Sequence, residues 1–299
     1  MSLINSVICN NLRKCKQLFV PANPKDYVKA REDELKQVSL VKIPKNVDVS
    51  RERINEVPVE IITKPGNPKD KVVYYTHGGG FCTGAVESKR MFTTYIADKL
   101  GYNVVAVDYR LAPEHPFPAG LEDCYSVYDC LCEEYGAEKI FILGESAGGN
   151  LTLATLLMEK DKKGRLPSGA AVFSPTMQFV EEFDSYRDNF KSDAILTNIV
   201  EEMFASYLQT EDKEVAKNPY ASPLLGDFTG FPPVFVTYSE NEVLRDDSVK
   251  LIEKLKGQQV KVEYISRPDT IHAHPIITAI PEARKDLKEV KKFIDRCFE

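Results

Sequence analysis

The chain of 299 residues holds only four histidines, and none stands at a spacing that zinc ligands use. No metal site is expected. Cysteine is scattered and odd in number: the seven residues are Cys9, Cys15, Cys82, Cys124, Cys130, Cys132 and Cys297. Cys130 and Cys132 are too close for a CxxC redox pair. That argues against a disulfide framework and for thiols kept reduced in the cytoplasm. No stretch approaches the ~18 consecutive apolar residues that cross a bilayer, so no stable membrane insertion is expected. The opening MSLINSVICNNLRKCKQ has no basic region before its apolar stretch and no small-residue cleavage site, so no signal peptide is expected. Positive charge is in deficit: 39 lysines and arginines face 45 carboxylates, for a net charge of −6, which excludes a general nucleic-acid binder. Internal repeats and low-complexity tracts are also missing.

What is present suits a globular protein. With 43% hydrophobic and 28% charged residues the chain is neither disordered nor fibrous. At this length roughly three quarters of the extended surface can be buried, so no covalent staple is needed. Residues 3–19 place Leu3, Ile4, Val7, Ile8, Leu12, Leu18 and Phe19 on one helical stripe, read as a helix packed on the body. The alternative, a membrane-surface helix with Arg13, Lys14 and Lys16 as its basic face, has too few charges.

From residue 57 short apolar runs alternate with longer periodic segments. Strands are predicted at 57–63, 72–76, 103–109, 139–144, 170–174, 233–239 and 260–265, and helices at 88–100, 119–135, 147–160, 246–256 and 282–297. That alternation predicts βαβ units and a mostly parallel sheet. Residues 176–218 interrupt it as an aromatic and acidic insertion, with a helix from about Ser192 to Leu208 capped by Ser192 or Asp193.

Two glycine-rich turns carry chemistry. Gly144-Glu145-Ser146-Ala147-Gly148 follows a strand and precedes an apolar helix. The GxSxG spacing arises by chance in about one such chain in twenty. The strand–turn–helix context is what an exposed nucleophilic serine needs, because the sharp turn demands small neighbours. His77-Gly78-Gly79-Gly80-Phe81 follows the strand at 72–76 and brings backbone N–H groups within reach of an oxyanion. A phosphate cradle is disfavoured, since the lysine of a P-loop and the GxGxxG spacing are missing.

A serine nucleophile needs a base, and the base needs an orienting acid. His77, at a strand end, is better suited to orienting the loop, and His115 lies in the proline-rich turn APEHPFPAG. His272 and His274 follow the last strand, in the chain order Ser, acid, His of α/β-hydrolases. The acid should follow strand 233–239, where Glu240, Glu242, Asp246 and Asp247 are available; Asp246 or Asp247 would cap the next helix.

HGGGF at 77–81, DYRLAPEHPFPAGLED at 108–123, GESAGGN at 144–150, EVLRDD at 242–247 and His272 together resemble the hormone-sensitive-lipase-like branch of the α/β-hydrolases, which includes acetyl esterases and arylacetamide deacetylases. The resemblance runs in order over about residues 57–295. It implies an α/β-hydrolase fold, a mostly parallel eight-stranded sheet flanked by helices, formed by one domain over 1–299 with a small helical cap from about 1–40 and 176–218. It implies Ser146 as nucleophile, His272 as base, Glu242 as triad acid, and the N–H groups of Gly79, Gly80 and Ala147 as the oxyanion hole. Most relatives have aspartate where Glu242 stands, and commonly aspartate where Glu145 stands. Tyr109, Arg110 and Glu114 then brace the loop near the oxyanion hole. Cys82 is read as a small core residue, and the sequon at Asn150 as unused because it falls in the helix after Ser146.

The implied activity is serine carboxylesterase hydrolysis of small short-chain acyl esters without cofactor or metal. A formamidase or a carbamate or lactone hydrolase on the same scaffold is the alternative within enzymes. A ligand-binding receptor, like the plant gibberellin receptor that has lost the triad histidine, is disfavoured because Ser146 and His272 are both present. A homodimer is compatible with the sequence, which does not specify one.

Overall fold

Valine-, isoleucine- and tyrosine-rich runs with both faces apolar must be covered on both sides, and the chain solves this with one sheet between two helix layers. A computed structural model describes residues 2–15, 26–38, 42–196, 199–210 and 213–299. The strands are β1 Asp48–Ile54, β2 Val57–Thr63, β3 Val72–Thr76, β4 Asn103–Val107, β5 Ile140–Glu145, β6 Gly169–Phe173, β7 Val234–Ser239 and β8 Val262–Arg267, in the spatial order β1-β2-β4-β3-β5-β6-β7-β8. β2 pairs antiparallel with β1 and β4; all other neighbours are parallel. Every residue of β3, β5, β6 and β7 is buried.

The helices are α1 Leu3–Cys15, α2 Asp26–Val38, α3 Arg90–Tyr95, α4 Ala119–Tyr135, α5 Ala147–Lys162, α6 Asp184–Asp188, α7 Ile199–Leu208, α8 Lys213–Ala216, α9 Arg245–Gly257 and α10 Pro281–Cys297. Alternation along the strands divides the core. Tyr74, Ile142 and Val172 pack with Leu121 of α4 and Leu151 of α5, while Tyr75, Phe141 and Phe173 pack with Phe92 of α3 and Phe293 of α10. α5 is buried at every position from Ala147 to Glu159, so the turn at Ser146 opens into an enclosed helix. Among the described residues, no helix is long and apolar enough to cross a membrane.

The seven predicted strands appear with ends shifted by two residues at most. β1 was not predicted: its sequence, DVSRERI, is too polar to read as a strand and sits exposed on the sheet edge, where charge discourages further pairing. The single helix expected at 88–100 is instead a 3-10 turn at Val86–Lys89, then α3, then a π-turn at Ile96–Leu100 that ends on Gly101 at φ 86°.

Three further expectations are corrected. Helix α1 packs on the body as expected, but only part of its apolar stripe turns inward. Asn5 and Cys9 are buried, with Ile8 and Leu12 packed beside them, whereas Leu3 is 81% exposed and Ile4 and Val7 about half exposed. The reason is polar: Asn5 Nδ2 donates to the carbonyl of Asp269 at 2.7 Å. Leu18, Phe19 and Lys16 lie outside the described residues, as do the side chains of Arg13 and Lys14. The helix expected from Ser192 begins later, at Ile199, with 197–198 outside the described residues; Ser192–Leu196 is not helical. Finally, Asp246 and Asp247 do not cap α9. Leu244 holds the cap position, and both carboxylates lie inside the first turn, where they bind the preceding insertion instead.

Candidate active site

Each predicted site residue comes from a loop at the C-terminal end of a parallel strand, the edge where open α/β sheets present their ligand sites. Ser146 follows β5 and adopts φ 56° and ψ −122°. Positive φ is rare for a residue with a Cβ and costs on the order of 1–3 kcal/mol, so surrounding contacts must hold it. Ser146 N–H donates to Phe173 O at 2.9 Å, and Thr176 N–H donates to Ser146 O at 3.2 Å. The glycine loop after β3 lies against this turn. A Cβ at Gly78 would stand 2.7 Å from Glu145 O and 3.0 Å from Ser146 Cβ, so only glycine fits.

The loop after β3 is tied down from several sides. Glu145 is buried beside Ser146. Its Oε1 accepts Gly78 N–H at 2.7 Å and its Oε2 accepts the Tyr75 hydroxyl at 2.7 Å. Burial raises the pKa of this carboxyl, partly offset by Lys89 and these hydrogen bonds. Tyr109 stacks on His77 at 4.3 Å and its hydroxyl donates to His77 O at 2.7 Å. From α2, Arg31 donates to Cys82 O at 2.7 Å and Ala112 O at 2.6 Å and forks onto Glu114 at 2.9 Å. Glu34 Oε2 accepts Gly84 N–H at 3.1 Å. Among the described residues, the N–H groups of Gly79, Gly80 and Ala147 donate to no protein acceptor. Gly79 has φ 137°, which leaves this stretch of backbone outside any strand or helix.

His272 and Glu242 meet. His272 Nδ1 lies 2.8 Å from Glu242 Oε2, with both side chains buried, and Glu242 Oε1 accepts Ser239 N–H at 3.1 Å. A carboxylate only accepts, so Nδ1 carries a proton, and in the neutral ring Nε2 then has the lone pair. Nε2 is buried with no hydrogen-bond partner among the described residues. Burial by itself lowers the imidazole pKa; the hydrogen bond and charge of Glu242 outweigh it, and the net shift is upward. The loop carrying His272 is anchored by Ala273 N–H donating to Ser174 Oγ at 3.0 Å.

Ser146, His272, Gly79 and Gly80 line one cavity of about 270 Å³. Ile195, Leu196, Phe204, Leu244, Ile276 and Ile277 make it apolar on one part of its wall, while Thr83, Lys89, Glu145 and Thr176 supply the polar part. His274 does not line it; Nε2 pairs with Asp286 Oδ2 at 2.8 Å in the core beneath. Glu240 is half-exposed and His115 is exposed. Burial lowers the pKa of His77, whose Nδ1 is 3.0 Å from its neighbour Gly78 O. Cys82 is a core residue whose thiol burial pushes up to about 12. Asn150 is fully buried and donates to Ala221 O at 2.9 Å, which leaves no room for a glycan.

The sequence did not point to Arg31, Glu34, Lys89 or the clamp on the loop of Glu242. In that clamp Asn189 Nδ2 donates to Glu240 O and Glu242 O at 3.0 and 2.9 Å, Ser192 Oγ donates to Asn241 O at 3.1 Å, and Asp193 accepts from Val243. Of these, Ser192 and Asp193 carried a signal, as candidate helix caps.

A family model of the alpha/beta hydrolase fold matches residues 73–276. The chain is 32% identical to an esterase of Acinetobacter venetianus, covering 75% of this chain and 74% of that protein. It is 30% identical to an acetyl-hydrolase of Streptomyces hygroscopicus, covering 77% of each. A crystal structure of an esterase from the bacterial hormone-sensitive lipase family superposes with a TM-score of 0.91 at 27% identity, over 100% of this chain and 99% of that one.

Proposed function

The chain belongs to the hormone-sensitive-lipase-like family of α/β-hydrolases, and from that premise we propose that its carboxylesterase activity runs through Ser146, His272 and Glu242 on short-chain acyl esters. The observation that carries this reading is the convergence on one cavity of a serine held at positive φ and a histidine whose far nitrogen is bound to a carboxylate.

In this mechanism His272 Nε2 takes the Ser146 hydroxyl proton as Oγ attacks the ester carbonyl carbon. The carbonyl π electrons move to oxygen, and the N–H groups of Gly79, Gly80 and Ala147 stabilise the resulting oxyanion. Glu242 holds the Nδ1–H tautomer and stabilises the imidazolium. Collapse of the tetrahedral adduct breaks the bond to the alcohol oxygen, which takes the proton from His272. Water repeats the sequence on the acyl-enzyme and releases the acid. The clamp of Glu145 on Gly78 N–H keeps the donor loop in register with the nucleophile. Residues up to about 40 and 176–218 form a cap in this reading; α2 supports the donor loop through Arg31, and Tyr207 stacks on Phe81 at 3.8 Å.

Ser146→Ala tests the reading. Loss of a nucleophile costs many thousandfold in turnover. The variant should fold, fail to hydrolyse p-nitrophenyl acetate and escape labelling by a fluorophosphonate; activity within tenfold of the parent would remove Ser146 from the mechanism.

A further inference from the structure

The esterase mechanism leaves one charged group of the cavity without a task. Lys89 ends the 3-10 turn before α3 and lines the cavity beside Thr83 and Glu145. Its Nζ stands 4.0 Å from Glu145 Oε1 and 4.0 Å from Glu34 Oε1, with 16% of the side chain exposed. Those separations balance charge but exceed hydrogen-bond length. The nearby acceptors are also engaged elsewhere, Glu145 with Gly78 N–H and the Tyr75 hydroxyl, Glu34 with Gly84 N–H. A lysine ammonium carries three N–H donors. Here none of them reaches a protein acceptor among the described residues, although the group is largely withdrawn from solvent.

We propose that Lys89 is a specificity-determining residue that donates a hydrogen bond to a hydroxyl or carbonyl oxygen on the substrate, outside the ester group that is cleaved. The preferred substrates are then esters with an oxygenated acyl or alcohol portion. This rests on the esterase reading, since it takes the cavity at Ser146 as the substrate cavity. The oxygen is neutral for an electrostatic reason. Two carboxylates flank the single ammonium, so a carboxylate on the substrate would meet no net positive field. The apolar part of the cavity, around Ile276 and Phe204, takes the remainder of the molecule.

The test compares the parent with Lys89→Met, which keeps length but has no donor, and Lys89→Arg, which keeps donors. Two size-matched pairs are assayed: p-nitrophenyl 3-hydroxybutyrate against p-nitrophenyl 3-methylbutyrate, and 2-hydroxyethyl acetate against n-propyl acetate. Enzyme is titrated with a fluorophosphonate so that only active sites are counted. Lys89→Met should lower kcat/KM on the oxygenated member of one pair by roughly ten- to hundredfold, the range for a hydrogen bond to a charged group. Its apolar partner should be nearly unchanged, and Lys89→Arg should retain much of the preference. The pair that responds identifies the acyl or the alcohol side. Equal losses on all four substrates would mean that Lys89 acts only through Glu145 or through folding, and would overturn the proposal, as would no change on any. Failure of the esterase reading looks different: the parent itself would neither hydrolyse any of the four nor be labelled at Ser146.

Discussion

Asp193 Oδ2 accepts the backbone N–H of Val243 at 2.8 Å, so a carboxylate of the insertion after β6 grips the residue that follows Glu242. Its other oxygen accepts Ile195 and Leu196 N–H at 2.8 and 2.9 Å, two residues that line the cavity. One buried side chain thus fixes both the loop of Glu242 and part of the apolar wall.

Asp193→Ala should therefore damage turnover more than binding. It strands the buried Val243 N–H, at a cost of about 1–3 kcal/mol in stability, and loosens the loop that sets Glu242 against His272. Steady-state kinetics and thermal unfolding together check this: kcat should drop by about tenfold or more for a displacement of roughly 1 Å at the acid, with KM changed less. An unaltered kcat in a destabilised protein would confine Asp193 to folding.

His272 and His274 should separate cleanly. His272→Ala should remove nearly all activity with a small change in melting temperature. His274→Ala removes the buried contact with Asp286, which Arg267 still pairs, so it should cost about 1–3 kcal/mol in stability and spare most of the turnover per folded enzyme. The opposite pattern would transfer the base to His274.

Glu242→Gln should change both the height and the position of the pH profile. The base works only when neutral, so kcat/KM falls as pH drops through the His272 pKa, which Glu242 holds above the ordinary imidazole value. Without the carboxylate charge, burial acts almost unopposed and the acid limb should move to lower pH. The plateau should fall on the order of a thousandfold or more, as for triad acids generally. Glu242→Asp is one methylene short and should lose most of the hydrogen bond. Glu240→Gln should remain active. A pH limb that stays in place in Glu242→Gln would rule out this residue as the acid.

Acyl-chain preference should favour short esters. Each buried methylene contributes about 0.8 kcal/mol while there is room, but the cavity measures about 270 Å³. On p-nitrophenyl esters from acetate to palmitate, kcat/KM should stop rising by about eight carbons, the point at which added methylenes find no further surface to bury. A continued rise to palmitate would show an acyl channel that this cavity does not provide.

What sequence determined by itself was local. The βαβ rhythm, the serine turn at 144–148 and the glycine loop at 77–81 were legible because short apolar runs and glycine spacing act within a few residues along the chain. The chain order of Ser146, an acid and a histidine, after β5, β7 and β8, was legible because it matches the order α/β-hydrolases use. Everything that joins distant segments waited for the tertiary structure. β1 escaped notice because an edge strand with polar side chains carries no apolar alternation. Asp246 and Asp247 looked like helix caps because sequence shows only the helix that follows, not Ser185, Tyr186 and Met177, which take up those carboxylates from across the fold. The face of α1 was read only in part, Ile8 and Leu12 but not Leu3, Ile4 and Val7, because apolar periodicity says nothing of a carbonyl such as Asp269 O, which draws Asn5 inward. Glu242 was already preferred to Glu240 through the resemblance of EVLRDD at 242–247, but the contact it makes is tertiary: two residues apart, the two side chains part where the chain turns after β7. Glu242 reaches His272 at 2.8 Å while residues 189–193 hold the backbone of its loop, because chain segments far apart in sequence meet there.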